Sequence, residues 1–233
     1  MRRIILITGT RKGIGRYLAE YYSAKNDIVI GCSRKASEFK SDNYRHFIAD
    51  LSDVNQIKKM FSDIRKDYGG IDVLINNAAI NPQISPFLLV SEESLMHTFR
   101  TNYFGTFYMC KEAVKLMMKK RFGRIINLGS MAERLCVPGE SVYSSSKSAV
   151  TAFTKVVAKE VYEYGITCNV IAPSAIETDL MNAVEKGSLK EVLNRNAIKE
   201  FGKFEDVSNV IDFLIKPESS AITGQVIYLG GVT

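Results

Sequence analysis

A chain of 233 residues, 46% hydrophobic and 24% charged, carries enough apolar mass for one ordinary soluble domain and needs neither a disulfide nor a cofactor to fold. Its net charge of +6, from 31 basic and 25 acidic residues spread along the chain, lacks the basic stripe with interleaved aromatics expected of a nucleic-acid binder and suits an anionic substrate or cofactor instead. No run approaches the roughly 18 apolar residues of a membrane span, the apolar run Ile4 to Ile7 is too short for a signal peptide, and Cys32, Cys110, Cys136 and Cys168 form no C-x-x-C pair; the expectation is a cytoplasmic protein with reduced thiols and no metal site.

The first predicted strand, "RIILIT", runs into "ITGTRKGIG", whose glycines Gly9, Gly13 and Gly15 open a helix near residues 14–25. Such a turn leaves no side chain between the backbone and a phosphate, whose charge the helix N-terminus stabilises. The second strand, "DIVIGCS", is followed by Arg34, and Arg11 and Lys12 lie inside the glycine loop. "YRHFIA" is the third strand, Ser52-Asp53 starts a helix near 53–67, and "IDVLIN" is the fourth strand. Ser91-Glu92 starts a helical pattern near 91–119, "GRIINLG" is the fifth strand and ends at Ser130, and a helical pattern covers 141–163. After the sixth strand, "GITCNVIA", residues 179–203 are too long for an ordinary connection and are expected to form a helical flap over a pocket. A helix near 205–215 and the strand "GQVIYLG" complete the chain. Strands alternating with helices from end to end, with no linker or repeat, predict a single α/β domain over 1–233: a seven-stranded doubly wound parallel sheet with helices on both faces.

One helix contains "YSSSK", Tyr143 to Lys147. With 11 tyrosines and 19 lysines, chance placement yields about one Y-x-x-x-K match, and "YYSAK" at Tyr21 and Lys25 is a second. Spacing does not choose between them. Position does: Tyr143 follows a strand that ends in Ser130 at the carboxyl edge, where such sheets hold ligands, whereas Tyr21 lies at the end of the first helix and reads as helix surface with no polar constellation nearby.

Taken in order, the T-G-x-x-x-G-x-G loop at Thr8 to Gly15, "NNAA" at 76–79, Asn102, Ser130, Tyr143, Lys147 and "PSAIET" at 173–178 resemble the short-chain dehydrogenase/reductase family over nearly the whole length. The resemblance implies a Rossmann-type fold with Asn102, Ser130, Tyr143 and Lys147 as the catalytic set. It also implies that the dinucleotide rests on Gly9, Thr10, Arg11, Lys12, Gly13, Ile14 and Gly15, with Asp50 and Leu51 at the adenine, Asn77 at the adjoining ribose, Tyr143 and Lys147 at the nicotinamide half, and Ile176 and Thr178 bordering the carboxamide. Arg34, where NAD enzymes usually carry an acid, suits the 2′-phosphate of NADPH (NADP+) over NADH.

Reducing a ketone requires an acid near the carbonyl oxygen, and a free tyrosine, with pKa near 10, is a reluctant one. Lysine at i+4 shares its helix face, and its charge is expected to lower the tyrosine pKa. Ser130 can donate to the same oxygen, and Asn102 is expected to hold a water linking the lysine to solvent.

Within the family, "KKRFGRIINLGS", "GITCNVIAPSAIETDL" and "SSAITGQVIYLGG" are most similar to 3-oxoacyl-acyl-carrier-protein reductases of fatty acid biosynthesis. Such enzymes dock an acidic acyl carrier protein through exposed arginines; one matches Arg121, and the other falls at the uncharged Tyr164. Ala79 and Ser174 stand where the family has glycine. Glu133 and Arg134 in the substrate loop leave a sugar or other polar hydroxy-ketone as the alternative substrate, and a non-catalytic NADPH-binding protein as an alternative of another class. Family members usually pack two long helices into a homotetramer, here with Phe104, Phe107, Met109, Val114, Val150, Phe153, Val156 and Val157 available.

Overall fold

The computed structural model describes residues 2–176 and 196–231. Seven parallel strands form one sheet in the order β3-β2-β1-β4-β5-β6-β7. They are β1 (Ile4–Thr8), β2 (Ile28–Ser33), β3 (Tyr44–Ile48), β4 (Val73–Asn76), β5 (Gly123–Leu128), β6 (Ile166–Ala172) and β7 (Val226–Tyr228). Every residue of β4, β5 and β6 is buried, which explains why these strands read as continuous apolar runs: both faces of a parallel sheet are covered by its crossover helices.

One face carries α2 (Val54–Tyr68), α4 (Gly105–Lys120) and α6 (Ser141–Val161), whose Ile57, Ile64, Met109, Met117 and Val161 pack on Leu6, Leu74 and Ile125. The other carries α1 (Gly13–Ala24) and the last helix, α7 (Phe204–Leu214), through Leu18, Tyr22, Val207 and Ile211. The expected helix starts hold, because Asp53 caps α2 by accepting from the Asn55 N–H and Ser91 caps α3 (Glu92–Phe99) by accepting from the Ser94 N–H. The single helix expected over 91–119 is instead α3, a π-helical turn at Arg100–Phe104, and α4. A four-residue helix, α5 (Ala132–Leu135), lies between β5 and α6.

The apolar positions of the two long helices divide. Met109, Val150 and Val157 are buried against the sheet, while Phe104 and Val156 are exposed beside the Phe107–Phe153 ring pair, 5.2 Å apart. All four cysteines are free thiols, and only Cys136 is exposed. The expected flap lies outside the described residues up to 195. Its end, from Asn196, is tied to the carboxyl edge of the sheet: Ala197 and Ile198 donate N–H groups to Gly231 and Gly230, and Gly202 donates to Ala175.

Tyr21 departs from expectation. Its hydroxyl accepts from Lys25 Nζ at 2.6 Å and donates to Asp212 of α7 at 2.7 Å, and Tyr22 donates to the same carboxylate. This polar cluster fastens α1 to α7. It sits at the C-terminal end of α1, some 18 Å along a 12-residue helix from the glycine loop.

Candidate active site

The strand order reverses between β1 and β4, and the crevice of a doubly wound sheet opens at that point. Gly9 and Gly13 adopt φ of 74° and 57°, which only glycine enters without strain. A Cβ on Gly15 would lie 2.4 Å from the Gly9 carbonyl oxygen, so the third glycine lets α1 close onto the loop. No side chain caps the first turn of α1, leaving its N–H groups directed at the crevice. Underneath, Thr8 Oγ1 accepts from the backbone N–H groups of Asn77 and Ala78 at 2.9 Å, and Asn77 Nδ2 donates to the Thr8 carbonyl at 2.8 Å.

The crevice, about 540 Å³, is lined by Gly9, Arg11, Lys12, Gly13, Ile14, Arg34, Asp50, Leu51 and Asn77 from the expected set, and also by Ser33, Lys35, Ala78 to Ile80 and Thr101. Thr10 and Gly15 are buried beneath it, and Ile176 is buried at the end of β6. Thr178 lies outside the described residues. Among the described residues lining the crevice, Arg11, Lys12, Arg34 and Lys35 stand against one carboxylate, Asp50, so a cationic, glycine-floored trough fits a phosphorylated dinucleotide.

At the carboxyl edge of β5, Ser130, Tyr143 and Lys147 come together. The Ser130 hydroxyl is a neighbour of the Tyr143 phenol that favours its ionised form, and it accepts from the Ala132 N–H at 3.2 Å. Lys147, 4% exposed, donates from Nζ to the Leu128 carbonyl at 2.8 Å and lies 5.8 Å from the centre of the Tyr143 ring. The ammonium therefore rests on a strand-end carbonyl, and the expected lowering of the tyrosine pKa is not found. Burial pushes Tyr143 up to about 12 against the opposing effect of Ser130, with Glu140 and Glu133 adding to the rise. Burial likewise pushes Lys147 down to about 8, opposed by Glu133.

Asn102 fastens the wall of the site to α6. From the π-helical turn its Oδ1 accepts from the Ile80 N–H, and its Nδ2 donates to the Ile80 carbonyl at 2.9 Å and to Ser146 Oγ at 3.0 Å. Ser146 Oγ in turn donates to the Tyr143 carbonyl at 2.7 Å. Both amide hydrogens thus brace the crevice wall to the Tyr143 turn of α6.

Three comparisons locate the chain among known proteins. A family model described as enoyl-(acyl carrier protein) reductase matches residues 9–233. The 3-oxoacyl-[acyl-carrier-protein] reductase FabG of Haemophilus influenzae is 33% identical over 235 residues, covering 98% of this chain and 97% of that protein. Among solved structures, ElxO with NADP bound superposes with a TM-score of 0.90 at 29% identity, covering 98% of this chain and 97% of that one. The ligand-free aldohexose dehydrogenase of Thermoplasma acidophilum gives 0.89 at 28%, covering 99% and 94%.

This chain is a short-chain dehydrogenase/reductase.

Two departures from the family pattern prove harmless. Among the described non-glycine residues only Asn26, Arg121 and Cys136 have positive φ, so Ala79 and Ser174 replace family glycines without backbone strain. Arg121 is exposed, and its guanidinium donates to the Glu163 carbonyl at 2.8 Å, while Tyr164 packs against the core. Beside Tyr143, on the side away from the glycine loop, a cavity of about 170 Å³ is lined by Asn81, Gln83, Ser85, Ser91, Ser94, Glu140 and Leu89. The Asn81 Oδ1 is buried with no hydrogen-bond partner among the described residues. No periodicity marks this cavity, because most of its lining comes from the irregular stretch after "NNAA"; only the density of small polar residues there hints at it.

Proposed function

We propose that this enzyme reduces a ketone to a secondary alcohol with NADPH. The observation that carries the reading is the meeting of Ser130, Tyr143 and Lys147 at the strand end beside a cationic, glycine-floored crevice. When bound, NADPH supplies the hydride that adds to the carbonyl carbon. Tyr143 transfers its phenolic proton to the carbonyl oxygen, and Ser130 donates a hydrogen bond to that oxygen as negative charge develops. Lys147, charged below about pH 8, stabilises the phenolate left behind and returns a proton to it. Asn102 acts by position, holding the crevice wall against the Tyr143 turn. Arg34 pairs with the 2′-phosphate, Asp50 and Leu51 receive the adenine, Asn77 borders its ribose, and Ile176 and Thr178 border the carboxamide.

The FabG of Haemophilus influenzae, matched over almost the whole of both chains, supports a β-keto acyl thioester as substrate. With Tyr164 in place of the second arginine, docking of an acyl carrier protein is weak. The polar lining beside Tyr143 favours a second reading, a small hydroxylated ketone such as a keto-sugar. Phe104 and Val156, exposed on the long helices, support a homotetramer, and the protein works in the cytoplasm. Following NADPH oxidation by purified protein with acetoacetyl thioesters and keto-sugars separates the substrates. Thioester turnover abolished in Tyr143→Phe supports the first reading, sugar turnover alone supports the second, and NADPH binding without oxidation of any ketone rejects both.

A further inference from the structure

The glycine loop and the turn after β2 both line the crevice, and a chain of side chains from β3 joins them. Tyr44 and His46, two apart on an edge strand, face the same side of the sheet. The Tyr44 hydroxyl lies 2.8 Å from Thr10 Oγ1 in the glycine loop and 2.8 Å from His46 Nδ1. On the far side of the imidazole, Nε2 lies 3.1 Å from the Lys35 carbonyl and 3.1 Å from Ser33 Oγ, and Ser33 Oγ donates to the same carbonyl at 2.6 Å.

A carbonyl only accepts, so Nε2 carries the hydrogen and donates to Lys35. Nδ1 then accepts from Tyr44, whose oxygen accepts from Thr10, and the chain has one consistent direction. Room for it was made in the sequence. Gly31, the register partner of His46, would with a Cβ come within 2.2 Å of the Tyr44 hydroxyl and 2.4 Å of Thr10 Oγ1. Arg34 lies between the two residues that His46 grips, so the backbone carrying its guanidinium into the crevice is held on both sides.

We infer that Tyr44 and His46 are positioning residues for cofactor specificity: they fix the Arg34 turn against the glycine loop and so set the preference for a dinucleotide bearing a 2′-phosphate. The inference rests on the NADPH reading above. Neither residue is among those lining the crevice, so its effect is read as discrimination rather than as affinity alone.

Equilibrium titrations of nucleotide fluorescence test this with the whole protein. Tyr44→Phe, which keeps the ring against Phe39, and His46→Leu each weaken NADPH binding about tenfold, the scale of one hydrogen bond to a positioned group, and leave NADH within about twofold. His46→Gln, which keeps an N–H for the Lys35 carbonyl, recovers most of the NADPH affinity. Thermal unfolding of each variant confirms that it is folded. A native protein that binds NADPH no better than NADH removes the cofactor reading itself. A native preference for NADPH that survives intact in both Tyr44→Phe and His46→Leu, or equal loss of the two nucleotides, overturns the role given to Tyr44 and His46.

Discussion

Burial moves the two proton-active side chains toward their neutral forms, Tyr143 up to about 12 and Lys147 down to about 8. A neutral phenol is the right state for a proton donor, so the reductive direction depends on the lysine. The reductive kcat/KM is expected to hold on the acid side of about pH 8 and fall above it as Lys147 loses its charge. Glu133, whose carboxylate accepts from Thr151 one turn beyond Lys147 on the same face of α6, supports that charge. In Glu133→Gln the alkaline limb of the pH–rate profile shifts to lower pH; an unmoved limb removes Glu133 from this role. Stability carries the same signature. Between about pH 8 and the ordinary lysine value of 10.5 the unfolded chain holds a proton that the folded chain lacks, so this group's contribution to stability rises with pH there, and below pH 8 the folded state bears the full cost of the buried charge. Urea unfolding at pH 7 and pH 10 should show native stability gaining roughly 2 to 3 kcal/mol relative to Lys147→Met. The identities of Ser130, Tyr143 and Lys147 were legible in the sequence because motif and strand end coincide. Their protonation was not, because it depends on how deeply the assembled fold buries them and on the carboxylates it brings near.

At the scale of elements, the seven strands and the helix starts were readable from β-branched runs, glycines and capping residues, each a local signal. The π-helical turn at Arg100–Phe104 was not, since apolar spacing continues through it and only the Ile80 and Ser146 partners of Asn102, distant in sequence, reveal its purpose. Such single-turn widenings gather at functional sites. Asn102→Ala leaves the Ile80 N–H and carbonyl without their partners and should cost about 2 kcal/mol of unfolding free energy by denaturant titration. If the amide acts by bracing the Tyr143 turn, kcat falls with it while the dissociation constant for NADPH stays within about twofold. The buried polar ladder shows the same limit: Asn76 donates to its register partner Asn127, and Asn127 to Thr154 of α6, a contact visible only once β4, β5 and α6 are assembled.

At the scale of the whole molecule, the topology decides which Tyr–Lys pair can do chemistry. Lys25 Nζ lies 4.2 Å from the centre of the Tyr21 ring, whereas Lys147 Nζ lies 5.8 Å from the centre of the Tyr143 ring, so closeness alone would select the wrong pair. Only the Tyr143 end of the sheet opens on the cationic crevice. Although the net charge of +6 is modest, Arg11, Lys12, Arg34 and Lys35 all line the crevice, with Asp50 the one carboxylate among the described lining residues. Exposed charges of this kind are screened as the Debye length shrinks from about 10 Å at 0.1 M salt to about 3 Å at 1 M. NADPH, with the additional phosphate, should therefore lose several-fold in affinity between about 0.05 and 0.5 M salt, and NADH distinctly less. Arg34→Ala should bring the two salt dependences together, because it removes the cation that the 2′-phosphate alone engages. Fluorescence titration of both nucleotides across that range checks the pattern. Parallel salt slopes for NADPH and NADH in the native protein would mean that the crevice charges attract the dinucleotide as a whole and that Arg34 does not read its 2′ position.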